Sequence, residues 1–374
     1  MRWTSEAPGW TVSSLLSGVL RPLTVDEVVA LTPMEMVQRS ALVKWSHQYL
    51  VNQALAIRNK EWSELMMECL LAPRVTFMEM YRLPEARADI RNRLAEFGYM
   101  LAGDDASYLM PDGFDHPQPY VTAPSSHWDF YNAHPGGLAV TVAFNCRMAE
   151  LHQDAYRQQF GIPVDRDLAV AALCVHEYPK TWLYAWQPNG SWLDEPRTID
   201  QDTWHAHCIY AVAEMFYRGV DNGMVMAVAA AHQISQLNAA MDGKSVVADW
   251  TGPAQVVKFL RAGALLAGVD PVEKGLLKIS HGEYHLDVQP LEMWVTHLSD
   301  MNWTYTMSAA HRVTESLIAE YCRSELNVGA QDGTSYNQVR NYVWSQVGQI
   351  PLYEAVVRNG RDFGLGLMKA LVVP

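Results

Sequence analysis

The segment that most constrains this chain runs Asp165-Arg166-Asp167-Leu168-Ala169-Val170-Ala171-Ala172-Leu173-Cys174-Val175-His176-Glu177-Tyr178-Pro179-Lys180. An uninterrupted apolar run leads straight into a His-Glu pair, with a lysine three positions beyond the acid. A helix with no polar face is buried all round. Ending it on unpaired ionisable groups would cost several kcal/mol for each charge taken out of water. Something at the end of this helix must therefore use those groups. Imidazole nitrogen and carboxylate oxygen are good ligands for first-row divalent metals, and a lysine beside them would lie near any bound anion. A second informative element, His134-Pro135-Gly136-Gly137-Leu138, lies upstream.

Helical periodicity dominates elsewhere, and strand-like alternation is scarce, which predicts an all-α protein. Thr24-Val25-Asp26-Glu27 has the form of a helix start, with a threonine ahead of acids. Helices are expected over 34–58, 60–71 and 84–99, followed by a breaker-rich loop over 102–125 that carries Gly103, Pro111, Gly113, Pro117, Pro119 and Pro124. Further helices are expected over 137–160, 166–178, 203–218, 222–240, 253–266 and 290–324, and a short hairpin or lid within 272–289. The organisation expected is an N-terminal helical region (1–120), a central helical domain (121–324) and a C-terminal helical extension (325–374).

The hydrophobic fraction of 49% against 18% charged residues excludes a disordered chain. A net charge of −13 argues against non-specific nucleic-acid binding, which needs a basic surface. It suits a small substrate held at a metal better than a polyanion. Cys69, Cys146, Cys174, Cys208 and Cys322 are odd in number and contain no CxxC, so buried free thiols in a reducing compartment are expected. No signal peptide and no membrane span is read, and a cytoplasmic protein is expected. There is no P-loop, no GxSxG and no GxGxxG in a strand–helix context.

Histidines and acids recur on the predicted helices in the order His134, His176-Glu177, His205 and His207, His232, and His297-Leu298-Ser299-Asp300. Intervals of one helix plus one short loop return equivalent levels of a bundle to the same place, so side chains so spaced can converge on one centre. Taken alone, each has a plainer reading: His232 as a core histidine, His205 and His207 as an exposed helix start, Asp300 as a surface acid. His281 and His285, flanking Gly282-Glu283-Tyr284, read as surface residues.

Together, His-Pro-Gly-Gly-Leu and the Asp-x-Asp-Leu helix ending in His-Glu-x-x-Lys resemble the HD superfamily of metal-dependent phosphohydrolases, whose members typically read "GGLLEHT" and then "DLLLAALLHDIGK". The resemblance implies an HD-like helical bundle with His176, Glu177, His207, His232 and Asp300 as metal ligands, His207 being preferred to His205. It implies one or two divalent ions (Mn, Fe, Zn, Ni or Co), with Glu177 or Asp300 orienting the attacking water and Lys180 near the substrate phosphate. The expected partner is a small phosphorylated molecule, not nucleic acid and not a membrane, and a homo-oligomer is compatible with the composition. Two positions depart from the family pattern. The family's leading histidine falls on Thr141, leaving His134 as the replacement ligand if Pro135-Gly136-Gly137 folds the chain back, and the doublet is His-Glu in place of His-Asp. Within the same resemblance, a diiron oxygenase and a catalytically inactive binding protein are the alternative expectations.

Overall fold

The structure is a computed structural model and describes residues 21–96, 99, 116–128, 130–193, 195, 206–232, 237–241, 246–286, 290–301, 307–329 and 332–374. It is all-α, with short strands at the margins. A first group of helices comprises α1 (Val25–Val29), α2 (Pro33–Arg39), α3 (Ala41–Ala56), α4 (Lys60–Leu71) and α5 (Pro84–Glu96). Then come α6 (Gly137–Phe160), α7 (Arg166–Val175), α8 (Lys180–Leu183), α9 (Ala206–Tyr217), α10 (Asn222–Ala230), α11 (Thr251–Ala267) and α12 (Leu291–Asp300). The last are α13 (Arg312–Ser324), α14 (Gly333–Val347), α15 (Gln349–Asn359) and α16 (Arg361–Lys369).

Local chemistry sets most of these boundaries. Thr24 and Thr32 cap α1 and α2 with full capping boxes to Glu27 and Glu35, as the Thr24 motif predicts. The single helix expected over 34–58 is two. Ser40 adopts an extended conformation, caps α3 through its hydroxyl to Val43 N, and donates that same hydroxyl to the Ser345 carbonyl. The segment read as helix to residue 240 stops at Ala230, and residues 237–241 pair antiparallel with 246–250 instead. Within 272–289 the expected hairpin forms between Leu277–Ser280 and Glu283–Leu286, with His281 and His285 exposed on it.

Among the described residues there are a small cluster of Ala133, Tyr184 and Trp192 and two large apolar cores. The larger packs α3, α4, α6, α7 and α9–α12 around residues such as Leu50, Met66, Val142, Leu173, Val212 and Val295. The smaller joins Val28 and Met36 to Ile318, Trp344, Leu352 and Met368. Helices from the first 120 residues thus enter both cores. A short parallel pairing, Leu23 with Val372 and Thr24 with Val373, holds the start of the described chain against its C-terminus. All five cysteines are buried and unpaired, as expected. Among the described residues, no helix is long and apolar enough to cross a membrane.

α7 is the axis of the larger core, contacting α4, α6, α10 and α12. Asp165 caps it by accepting from the amides of Asp167 and Leu168. Asp167, buried at the first turn, receives Arg58 Nε at 2.8 Å and lies 3.2 Å from Arg166 Nη1. The acids ahead of the apolar run therefore have structural work: they start the helix and fix it to the end of α3.

Candidate metal centre

α7 ends at Val175 and not at 178. His176 takes the C-cap position, and Pro179, which has no N–H to donate, forces a turn before α8 begins at Lys180. This break aims His176 and Glu177 into the bundle, and both are fully buried. His232 lies two residues beyond α10, not inside a helix, and Asp300 is the last residue of α12. His297, of the His297-Leu298-Ser299-Asp300 segment, belongs to neither of the two donor groups at this centre. Its Nδ1 meets the Ala231 carbonyl at 3.1 Å and ties α12 to the residue beside His232.

The four residues converge. One donor atom from each of His176, Glu177, His232 and Asp300 lies within 4.8 Å of every other, and all four side chains are buried. His176 Nε2 is 3.5 Å from both Glu177 Oε1 and Asp300 Oδ1. That separation is long for a hydrogen bond, and His176 Nε2 and Glu177 Oε1 have no hydrogen-bond partner. His232 Nδ1 is 3.0 Å from Asp300 Oδ2. Buried polar atoms left in this state in a native fold call for a bridging group, and a cation suits donors of this kind.

A second group shares His232 and adds His207 and Cys208. His207 is the second residue of α9, while His205 lies outside the described residues. The two Nε2 atoms of His207 and His232 face each other at 2.9 Å. Each ring meets a carboxylate on its opposite side: Glu195 Oε2 lies 2.7 Å from His207 Nδ1, and Asp300 Oδ2 lies beside His232 Nδ1. Carboxylates at Nδ1 favour the tautomer that leaves a lone pair on Nε2. Two facing lone pairs need a proton or a metal between or beside them. A spacing near 2.9 Å is also that of adjacent ligands at a right angle, each about 2.1 Å from one ion. Burial, then the charges of Glu195 and Glu177, push the Cys208 thiol well up, which makes the imidazoles the better donors.

The electrostatics favour positive charge at this centre. Burial opposes it, but the carboxylates of Asp300 and Glu177 raise His176 to about 9. Asp300 is held well below its ordinary value: desolvation works the other way, and His232 and His176 outweigh it. Glu177 is likewise lowered against the cost of burial, by Lys180 and then His176. Burial is the largest influence on His232 and lowers it, which keeps that imidazole neutral. Ionised carboxylates and a neutral His232 are the protonation states that ligation requires, whereas His176 carries a proton at neutral pH that a bound ion would have to displace.

Two residues supporting this centre carry no motif in the sequence. Asn145, one helical turn beyond Thr141, donates its amide to Asp300 Oδ1 at 2.6 Å. The i, i+4 spacing from Thr141 on α6 was the available signal. Glu195, held near 2 by His207 against the effect of burial, also accepts the His207 backbone N–H at 3.0 Å and the Tyr184 hydroxyl at 3.2 Å. Nothing in Trp192-Leu193-Asp194-Glu195-Pro196 marks it. Glu195→Gln is expected to weaken metal binding by about 10–100-fold, the range for residues that orient a ligating histidine. Competition against a chelating dye would measure this, and an unchanged affinity would remove His207 from the ligand set.

Neither replacement for the leading histidine joins the group. Thr141 Oγ1 accepts from Asn132 Nδ2 at 2.9 Å. His134 stands apart from both donor groups, with Nδ1 against the Pro135 carbonyl at 3.0 Å, and the charge it senses is Arg340. The glycine pair explains why. Gly136 adopts φ +84°, and a Cβ on it would lie 2.4 Å from Val43 Cγ1; a Cβ on Gly137 would lie 1.8 Å from the Asn132 carbonyl oxygen. The two glycines start α6 in close contact with α3 and with their own loop, and His134 is left on the side of Arg340.

Burial holds His134 down at about 4, which makes it an acid-sensitive element. The unfolded chain, with a histidine near 6.5, binds more protons between that value and 4, so stability is complete above pH 6.5 and is lost as the pH falls through this window. The loss should amount to about 3 kcal/mol between pH 7 and pH 4. Urea denaturation of wild type and His134→Gln at both pH values isolates it, and equal losses in the two proteins would refute the assignment.

Lys180 is buried, lies against Glu177 Oε2 and donates to the Ser125 carbonyl at 2.8 Å. Comparison of the chain with protein-family models, with curated proteins and with solved structures returns no match.

Proposed function

We propose that this chain is a metal-dependent hydrolase that cleaves a small phosphoester, with His176, Glu177, His207, His232 and Asp300 holding one or two divalent first-row ions. The observation that carries the reading is the convergence of the buried donors of His176, Glu177, His232 and Asp300 within 4.8 Å of one another. Such an ion supplies a bound water acidified toward neutrality and polarises a phosphoryl oxygen. The protein's part is to orient and to move protons. Asp300 is fixed by Asn145 on one oxygen and by His232 on the other, and Glu177 is fixed by Lys180. Either carboxylate can accept the proton of the attacking water while its oxygen bonds to phosphorus, and the ester P–O bond breaks to release an alcohol that takes up a proton. Lys180 acts here on Glu177 as a positioning residue, and only its third N–H remains to meet a phosphate oxygen.

Hydrolysis of p-nitrophenyl phosphate and bis-p-nitrophenyl phosphate by protein reconstituted with each of Mn, Fe, Zn, Ni and Co tests the reading. Turnover should require metal, disappear with chelator and fall at least ~100-fold in Asp300→Asn, beyond the loss typical of supporting residues. Stoichiometric metal with no turnover of either ester would refute it. A second reading, oxidative cleavage at a diiron centre, is favoured by the two donor groups that share His232. It predicts iron and oxygen consumption in place of phosphate release.

A further inference from the structure

A groove of about 220 Å³ lies between the first turns of α6, the start of α15 and Leu42. Asn145 connects the two sites: it lines the groove and donates to Asp300 Oδ1. The walls include Leu42, Val140, Phe144 and Ile350, and Phe144 and Ile350 are each 39% exposed at the mouth. The polar lining consists of Tyr131, Asn132, Thr141, Asn145 and Gln349, and none of the described lining residues carries a charge. Most of those polar groups are engaged with one another. Asn132 N donates to Gln349 Oε1 at 2.7 Å, and Thr141 Oγ1 accepts from Asn132 while keeping its own proton to give.

We infer that this groove binds an uncharged, largely apolar organic group of the substrate, such as an aryl or branched alkyl moiety, placed by Asn145 and Thr141 next to the metal centre. Charge decides the class. A second anionic group would find no cation among the described lining residues, would have the Asp300 carboxylate behind Asn145, and would do so in a chain of net charge −13. Burying it unpaired costs several kcal/mol. The volume is below the ~300–1,000 Å³ of sites that enclose drug-sized ligands, so the group is small. Calling this group part of the substrate rests on the hydrolase reading, whereas the preference for an uncharged occupant does not.

Fluorine NMR titration of 4-fluorobenzamide and 4-fluorobenzoate, two probes of one shape that differ in charge, tests the inference without turnover. The amide should bind at least ~10-fold more tightly than the carboxylate, a difference of 1.4 kcal/mol or more. Val140→Trp, which fills the groove, should weaken amide binding by a similar factor with bound metal unchanged. Phe144→Ala, at the exposed mouth, should weaken it less and avoids the risk of disturbing the core. Equal or tighter binding of the benzoate, or amide affinity indifferent to both variants, would overturn the inference. If phosphoesters are not hydrolysed but the amide preference holds, the groove stands and the hydrolase reading falls.

Discussion

Replacing His176 or Glu177 by alanine is expected to strip most of the bound metal while the helical fold survives. Both side chains present otherwise unpartnered atoms to the same point, so losing either removes a donor and not merely its support. The fall in affinity should exceed the ~10–100-fold typical of residues that only orient a ligand, which makes Glu195→Gln the internal reference. His232→Ala should be the most damaging of the set, because both donor groups share that ring. Metal analysis after gel filtration, with circular dichroism to follow helicity, reads out both halves of the expectation. Full metal content in any of these variants would require a different ligand set.

The second large effect concerns Lys180. Its ammonium lies against a fully buried Glu177 carboxylate that also neighbours Asp300 across His176. Lys180→Met removes the nearer of its two cationic neighbours and leaves His176 at 3.5 Å, so the loss should approach, from below, the ~3–5 kcal/mol of a broken buried pair. Chemical denaturation of metal-free protein should show the loss. Adding Glu177→Gln should recover much of it, and saturating metal should offset part of it in the single variant. A metal-free Lys180→Met protein as stable as wild type would mean that Lys180 is not the group that compensates the Glu177 charge.

The centre was legible in the sequence wherever helical spacing carried it. The apolar run of α7 ends on the buried His176 and Glu177, and the helix-plus-loop intervals set His232 beside His207 in one donor group and beside Asp300 in the other. What the sequence hid depends on where the chain bends. Pro179 cut α7 short, His232 proved to follow its helix instead of lying within it, and the close packing of Gly136 and Gly137 left His134 near Arg340. Asn145 is the α6 residue in contact with Asp300, and it donates its amide to that carboxylate. Glu195 was invisible because a lone acid acquires its role only from the fold that sets it against His207. The break at Ser40 was obscured by apolar periodicity that continues across it, while the serine's hydroxyl finds partners on both sides.

The most direct test of the whole account is a crystal structure of protein purified without chelator, with anomalous diffraction recorded across the absorption edges of Mn, Fe, Co, Ni and Zn. The account predicts one or two anomalous peaks enclosed by His176, Glu177, His207, His232 and Asp300, each within about 2.0–2.2 Å of its imidazole and carboxylate donors. A well-ordered cluster with no anomalous density, or an ion bound elsewhere while these side chains pair only with one another, would contradict it.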